Sequence, residues 1–295
     1  MKLTHKQKSL IFKMLDKFPI VLGMWLYHKL QEFANNGSLE NKIKAGRRSF
    51  FETSAILNSN GMSLKDTVCV EMGSGWLPVL PYFLLASGEV KKVYTYDVNE
   101  HYQPSKIIRL NKLFQKELPD YSFHFSGKYQ LTAGVEYFPK TSVAEGDLSA
   151  ANFIFSRFVL EHVPLEVIRE LHKSFSEKIT NDCYVLHLIS PCDHRAYTDK
   201  LISLYDFLQY SNEEWDKIQT TFDYHNRLRL PHYIEVFEEH FDIVSLKYTS
   251  LKESDEGYSL FKEVLLHDDY MHFSEEELTA GSIRVLLKKR INRDG

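Results

Sequence analysis

Val68-Cys69-Val70-Glu71-Met72-Gly73-Ser74-Gly75-Trp76 reads as a buried strand that runs into a glycine-rich turn. Gly73 and Gly75 remove side chains where the chain must turn sharply and let a ligand approach the backbone. A second apolar run, Val93-Tyr94-Thr95-Tyr96-Asp97, follows after a helix-length gap and ends in a carboxylate 22 residues past Gly75. A carboxylate at that place can accept both hydroxyls of a ribose. The spacing Glu71-x-Gly73-x-Gly75 lacks the third glycine of a dinucleotide fingerprint, which disfavours a nicotinamide-dependent reductase. The bland alternative is an ordinary turn followed by a helix-capping aspartate.

Outward from this stretch, strands and helices alternate. Strand 68–71 leads to helix 77–87, whose start is confined by Pro78 and Pro81. Strand 93–96 leads to helix 104–116. Tyr121–Phe125 alternates like a third strand, Phe153–Ser156 forms a fourth, helix 164–177 follows, and Tyr184–Ile189 forms a fifth. After helix 231–239, the runs 241–248 and 283–287 read as two last strands forming an antiparallel edge. The expected fold is therefore α/β: a mixed, mainly parallel seven-stranded sheet with helices on both faces.

Two additions flank this pattern. Residues 3–34 read as two helices bent near Phe18-Pro19 and ended by Asn35-Asn36-Gly37, and 38–60 reads as a third helix. Residues 1–62 thus form an N-terminal helical lid or layer beside a 63–295 domain. Residues 191–230, rich in Tyr, His, Asp and Asn, form an insertion after strand five that faces the substrate.

The chain of 295 residues carries a formal net charge of -4, so no global basic field draws it to nucleic acid. Its three cysteines, Cys69, Cys183 and Cys192, have no tight spacing and predict neither a disulfide framework nor a zinc site. The apolar run after MKLTHKQKSL is broken by Lys13, Asp16 and Lys17, so neither a signal peptide nor a membrane span is expected, and a cytoplasmic setting fits. Contact of the N-terminal helices with a membrane surface is the lesser alternative to packing on their own domain.

These motifs resemble the class I S-adenosylmethionine (SAM)-dependent methyltransferase superfamily over roughly residues 65–250. The Glu71–Gly75 turn resembles its first motif, Asp97 its ribose-binding acid, and Phe153-Ile-Phe-Ser-Arg-Phe-Val-Leu-Glu-His162-Val-Pro164 its fourth-strand motif. More narrowly, the segments at Asp193-His194 and Asn226–Arg229 are similar to uncharacterised bacterial members near polysaccharide or small-molecule pathways. The resemblance implies SAM as cofactor, held by Glu71, Gly73, Ser74, Gly75, Asp97, Val98 and Ser156. It departs from the pattern at Tyr137–Val143, which offers no acid for the adenine amine; Glu145, Asp147 or backbone near Phe138 are the substitutes. Trp76 is bulkier than usual and is expected to wall off the methionine end.

Acceptor chemistry belongs on loops beyond the strand C-termini. Asp193-His194 after strand five is the first candidate for a base, with Asp193 orienting His194; His162 is the second, with a structural role as its alternative. Arg157, Tyr197, Asn226 and Arg227 are candidate substrate-binding residues, the last two in the polar stretch His225-Asn226-Arg227-Leu228-Arg229. Each has a bland alternative: Arg157 pairing with Glu161, the arginine pair tethering the insertion, the tyrosine packing. Convergence of His101, His162 and His194 is conceivable, but no metal is expected. The function expected is methylation of an oxygen or nitrogen of a small-molecule or sugar-derived acceptor; the alternatives are other chemistry on the same fold or a non-catalytic SAM-binding partner subunit. A homo-oligomer stays open.

Overall fold

The computed structural model describes residues 5–34 and 38–290. Three helices come first: α1 (His5–Leu15), α2 (Ile20–Ala34) and α3 (Leu39–Ser59). Pro19 separates the first two, as its missing amide and fixed φ require. Ser38 caps α3 by accepting from the Asn41 amide. The expected stop at Asn35-Asn36-Gly37 lies outside the described residues.

The central elements follow as β1 (Val68–Met72), α4 (Val79–Ala86), β2 (Lys92–Asp97), α5 (Pro104–Glu117), β3 (Phe125–Ser126), β4 (Leu131–Thr132), β5 (Val135–Pro139), β6 (Phe153–Arg157), α6 (Leu165–Lys178) and β7 (Tyr184–Ile189). The remainder comprises α7 (Asn212–Ile218), α8 (Leu230–Glu238), β8 (Phe241–Thr249), α9 (Tyr258–Lys262), α10 (Glu275–Thr279) and β9 (Gly281–Lys289). The seven-stranded sheet has the order β5-β2-β1-β6-β7-β9-β8. The first five are parallel, and β9 runs antiparallel between β7 and β8.

Alternation along the strands divides the core into two layers. Cys69, Val93, Phe153, Phe155, Leu186 and Leu188 face α3, α4 and α5. Val70, Ile154, Val185 and Ile189 face α6 and α8, where Ile168, Phe175, Tyr233 and Phe237 cover them. Both faces are thus buried, as a parallel sheet requires. Helix α3 is drawn close to α4 by Gly46, where a Cβ would meet Val79 Cγ1 at 2.2 Å.

One expected strand is corrected. The third strand of the central sheet is β5, not Tyr121–Phe125. Phe123 instead packs among Tyr82, Phe114 and Tyr121, with centroids 5.9, 5.9 and 4.7 Å away. Only Phe125–Ser126 of that run is strand, in a small hairpin with β4. Strand β5 ends in Pro139, which suits the sheet edge it occupies.

The insertion after β7 has a core of its own. Tyr205, Phe207, Leu208 and Trp215 pack against Phe261, Tyr270 and Leu278 from the β8–β9 connection. Among the described residues, no helix is long and apolar enough to cross a membrane.

Candidate functional site

Chain order reverses across the sheet between β1 and β6, and an open α/β sheet binds ligands beyond its strand ends at such a switch point. A cavity of about 700 Å³ lies there, lined by Gly73 and Gly75 after β1, Asp97 and Val98 at the end of β2, and Arg157 after β6. Gly73 has φ +84° and a Cβ would sit 2.5 Å from Val159 Cγ2, so both the turn and its packing demand glycine. Gly75 has φ +55° and nothing within 4 Å of a Cβ position.

Asp97 is held from two sides. Ser74 Oγ donates to its Oδ2 at 3.1 Å and the Asn99 amide to its Oδ1 at 2.8 Å. His101 Nε2 lies 3.7 Å from Oδ1. Ser74 therefore positions the carboxylate and does not itself line the cavity. Trp76 lines the cavity, with its ring 4.8 Å from His101 and 6.3 Å from Tyr27 of α2. Thr141, Ser142 and Val143 line the region where an adenine-binding acid was sought. Glu145 and Asp147 are not among the residues lining this cavity; Glu145 accepts from the Ser142 amide and Asp147 from the Ser149 amide.

Two expected cofactor residues turn away from the cavity. The Glu71 carboxyl accepts from Thr95 Oγ1 at 2.5 Å behind the turn, and burial raises its pKa to about 8. The Ser156 side chain is fully buried and pairs with His187 Nδ1 at 2.7 Å, while His187 Nε2 lies 3.0 Å from His172 Nε2. This polar chain sits within the sheet's core and holds Ser156 away from any ligand.

A second cavity, of about 370 Å³, lies beside the first and shares Tyr27, His162 and Phe222 with it. His194, Tyr197, Trp215, Asp223 and His225 also line it. His162 is thus brought to the boundary of both cavities. Its Nδ1 lies 2.8 Å from Tyr224 O, an acceptor that fixes Nδ1 as the protonated nitrogen. Although its ring opens onto the cavities, desolvation by their walls lowers its pKa. Burial, with His162 nearby, lowers His194 to about 4, and burial with both neighbours lowers His225 far below the usual histidine range. All three rings are neutral at pH 7.

Three polar expectations are corrected. Asp193 does not orient His194, because its carboxylate is taken by Arg195, through the Arg195 amide at 2.9 Å and the guanidinium at 2.6–3.0 Å. Arg227 does not face a substrate: it is buried and donates to Phe207 O, Tyr210 O and Asn212 Oδ1. Asn226 donates through Nδ2 to Leu160 O and Val163 O and accepts from the Leu228 amide, which ties the insertion to the loop after β6. Arg229 is likewise buried, on Leu278 O and Pro191 O. Arg157 does line the first cavity, yet it donates to Ser49 Oγ of α3 and is not paired with Glu161. Glu161 is buried, accepts from the Ser190 amide and leaves Oε2 without a partner.

The sheet order and the β9 reversal match the fold that the sequence resemblance implies. The chain has a Rossmann-like α/β fold. No protein-family model and no curated protein matches the sequence. Among solved structures, the chain is similar to the magnesium protoporphyrin IX methyltransferase from Synechocystis PCC 6803 with bound S-adenosylhomocysteine, at 12% identity and a TM-score of 0.49, over 96% of this chain and 99% of that one. It is also similar to a putative SAM-dependent methyltransferase from Listeria monocytogenes, at 12% identity and TM-score 0.43 over 80% and 96% of the two chains. A third, a putative sarcosine dimethylglycine methyltransferase from Galdieria sulphuraria, has 14% identity and TM-score 0.43 over 82% and 85%. At these identities the likeness concerns the fold alone.

Residues missed from sequence complete both cavities. Met24 and Tyr27 of α2 reach the first, and Phe12 of α1 the second. Phe222 of the insertion stacks on Tyr27 at 5.1 Å. Their aromatic type was visible, but nothing local marks which aromatics of an amphipathic helix meet a distant loop. Of the stretch His225–Arg229, His225 alone lines either of these two cavities, carried there by Trp215 Nε1 donating to its carbonyl.

Proposed function

We propose that the protein is a SAM-dependent methyltransferase acting on an oxygen or nitrogen of a small-molecule or sugar-derived acceptor. The observation that carries this reading is the pair of adjoining cavities that meet at His162, the first bearing the Gly73–Gly75 turn and Asp97. The residues present fit SAM. Asp97, held by Ser74 and Asn99, accepts from the ribose hydroxyls. The open face of Gly75 leaves room for the methionine end, and Thr141–Val143 flank the adenine. SAM supplies an activated methyl group on a sulfonium.

The rest of the chemistry is positional. A methyl transfer needs an acceptor atom aligned with the methyl carbon and water kept out. The second cavity is of small-molecule size, and Tyr27 and Phe222 bridge α2 and the insertion across the boundary. His194 and Tyr197 would contact the acceptor from the far wall. Burial keeps the His194 ring neutral, so it meets the acceptor as a polar, uncharged wall. His194→Ala is therefore expected to keep SAM affinity and lower turnover in an acceptor screen with SAM. Turnover equal to that of the unaltered chain would remove His194 from the reaction.

A further inference from the structure

His162, His194 and His225 come from three separate loops and meet on the wall of the second cavity. One nitrogen from each ring can be chosen so that all lie within 4.8 Å of one another. Ring centroids are 5.2, 4.6 and 4.0 Å apart, and the rings cross at 67°, 61° and 79°. Steeply crossed imidazoles can direct nitrogen lone pairs at one centre, which stacked rings cannot.

The surroundings of the rings are those of metal ligands. His162 Nδ1 is engaged by the Tyr224 carbonyl, so Nε2 is left with its lone pair. His225 is only 5% exposed, and its Nε2 is buried with no hydrogen-bond partner. A buried nitrogen left in that state is rare unless something unseen engages it. The opposite face of the same ring is turned to Asp223, with Nδ1 3.4 Å from its carbonyl and 3.7 Å from Oδ1, as outer partners of a ligating histidine commonly are.

We propose that His162, His194 and His225 form a three-nitrogen site for a divalent transition metal, zinc foremost, on the wall of the second cavity. This proposal departs from the expectation of no metal, and its third histidine is His225 and not His101. An all-imidazole set suits zinc and its neighbours, whereas magnesium and calcium require oxygens. Asp193, a buried carboxylate that lines the same cavity, is already committed to Arg195. Three protein ligands leave a position open, the pattern of a working zinc site and not of a structural one. Resting on the methyl-transfer reading, that open position selects acceptors bearing a hydroxyl, because a cation there favours the ionised oxygen.

The test uses the untagged full chain, stripped with a chelator and titrated with Zn(II) by competition and with Co(II) by its visible ligand-field bands. The expected result is one ion per chain, weakened at least about tenfold by His162→Ala and by His194→Ala, while the exposed control His124→Ala binds as the unaltered chain does. SAM titration of the same samples reports whether each variant is folded, and the exposed His162 gives the milder substitution. Binding well below one ion per chain, or equal binding in folded His162→Ala and His194→Ala, overturns the site. One zinc per chain without SAM binding supports the metal site and removes the methyl-transfer reading; SAM binding without zinc does the reverse.

Discussion

In the proposed function, Gly73 and Asp97 serve the cofactor end of the site through backbone shape and fixed charge. Replacing Gly73 with Ala would combine a left-handed φ with a Cβ 2.5 Å from Val159. The cost expected is on the order of 1–3 kcal/mol, read as a lower melting temperature together with weaker SAM binding. Glu161 yields a pH prediction. Its folded pKa is raised by burial to about 8 from 4.5, so the folded state keeps a proton that the unfolded state releases. That stability is present below pH 4.5 and is lost as pH rises towards 8. The buried histidines act oppositely: His172 and His194 are lowered to about 4 from 6.5, so their contribution is lost as pH falls below 6.5. Between pH 6.5 and 8, among the described residues, the buried carboxyls Glu161 and Glu71 still titrate in this way. Denaturant unfolding should show stability falling across that window, and Glu161→Gln should flatten the decline; an unchanged slope in the variant would argue against a buried protonated carboxyl.

At the scale of elements, the insertion is held by arginines that the sequence presents as binding residues. Arg227 donates to three acceptors and lies 5.5 Å over Trp215 and 5.4 Å over Tyr270. Arg227→Ala should leave those acceptors unpaired and cost roughly 3 kcal/mol or more, lowering the melting temperature with SAM affinity retained in the folded protein. A raised acceptor KM at undiminished stability would instead restore a binding role. Charge and polarity alone cannot separate the two roles, because both ask for a guanidinium near oxygens. The strands were legible where period and position agree: β1, β2, β6 and β7 lie within a residue or so of their expected bounds, since buried parallel strands read as near-continuous apolar runs. The third strand was not. Tyr121–Phe125 alternates well but spends its aromatics against α4 and α5, and β5 carries a proline that only an edge strand tolerates.

For the whole molecule, the site is shared between the sheet and its two additions. Phe12 and Tyr27 of the N-terminal layer meet Phe222 of the insertion, with centroids 6.4 and 5.1 Å from it, above the junction of the cavities. Phe222→Ala should open that cover and weaken acceptor binding more than it lowers the melting temperature. That the glycine turn and Asp97 face one cavity could be read from sequence because they lie within one βαβ unit. The histidine cluster was legible only in part: His162 and His194 do converge, but the third ring is His225 and not His101, since the three are joined only by the packing of three loops. The central claim is that the Gly73–Asp97 cavity holds an adenosyl cofactor. Calorimetric titration of the purified chain with SAM, S-adenosylhomocysteine and NADH tests it most directly, with Asp97→Ala alongside. The account predicts saturable binding of both adenosyl ligands, none of NADH, and at least about tenfold weaker SAM binding in the variant, the loss expected when a charged hydrogen-bond acceptor is removed. Absence of adenosyl binding, binding of NADH, or SAM affinity unchanged in Asp97→Ala would contradict it.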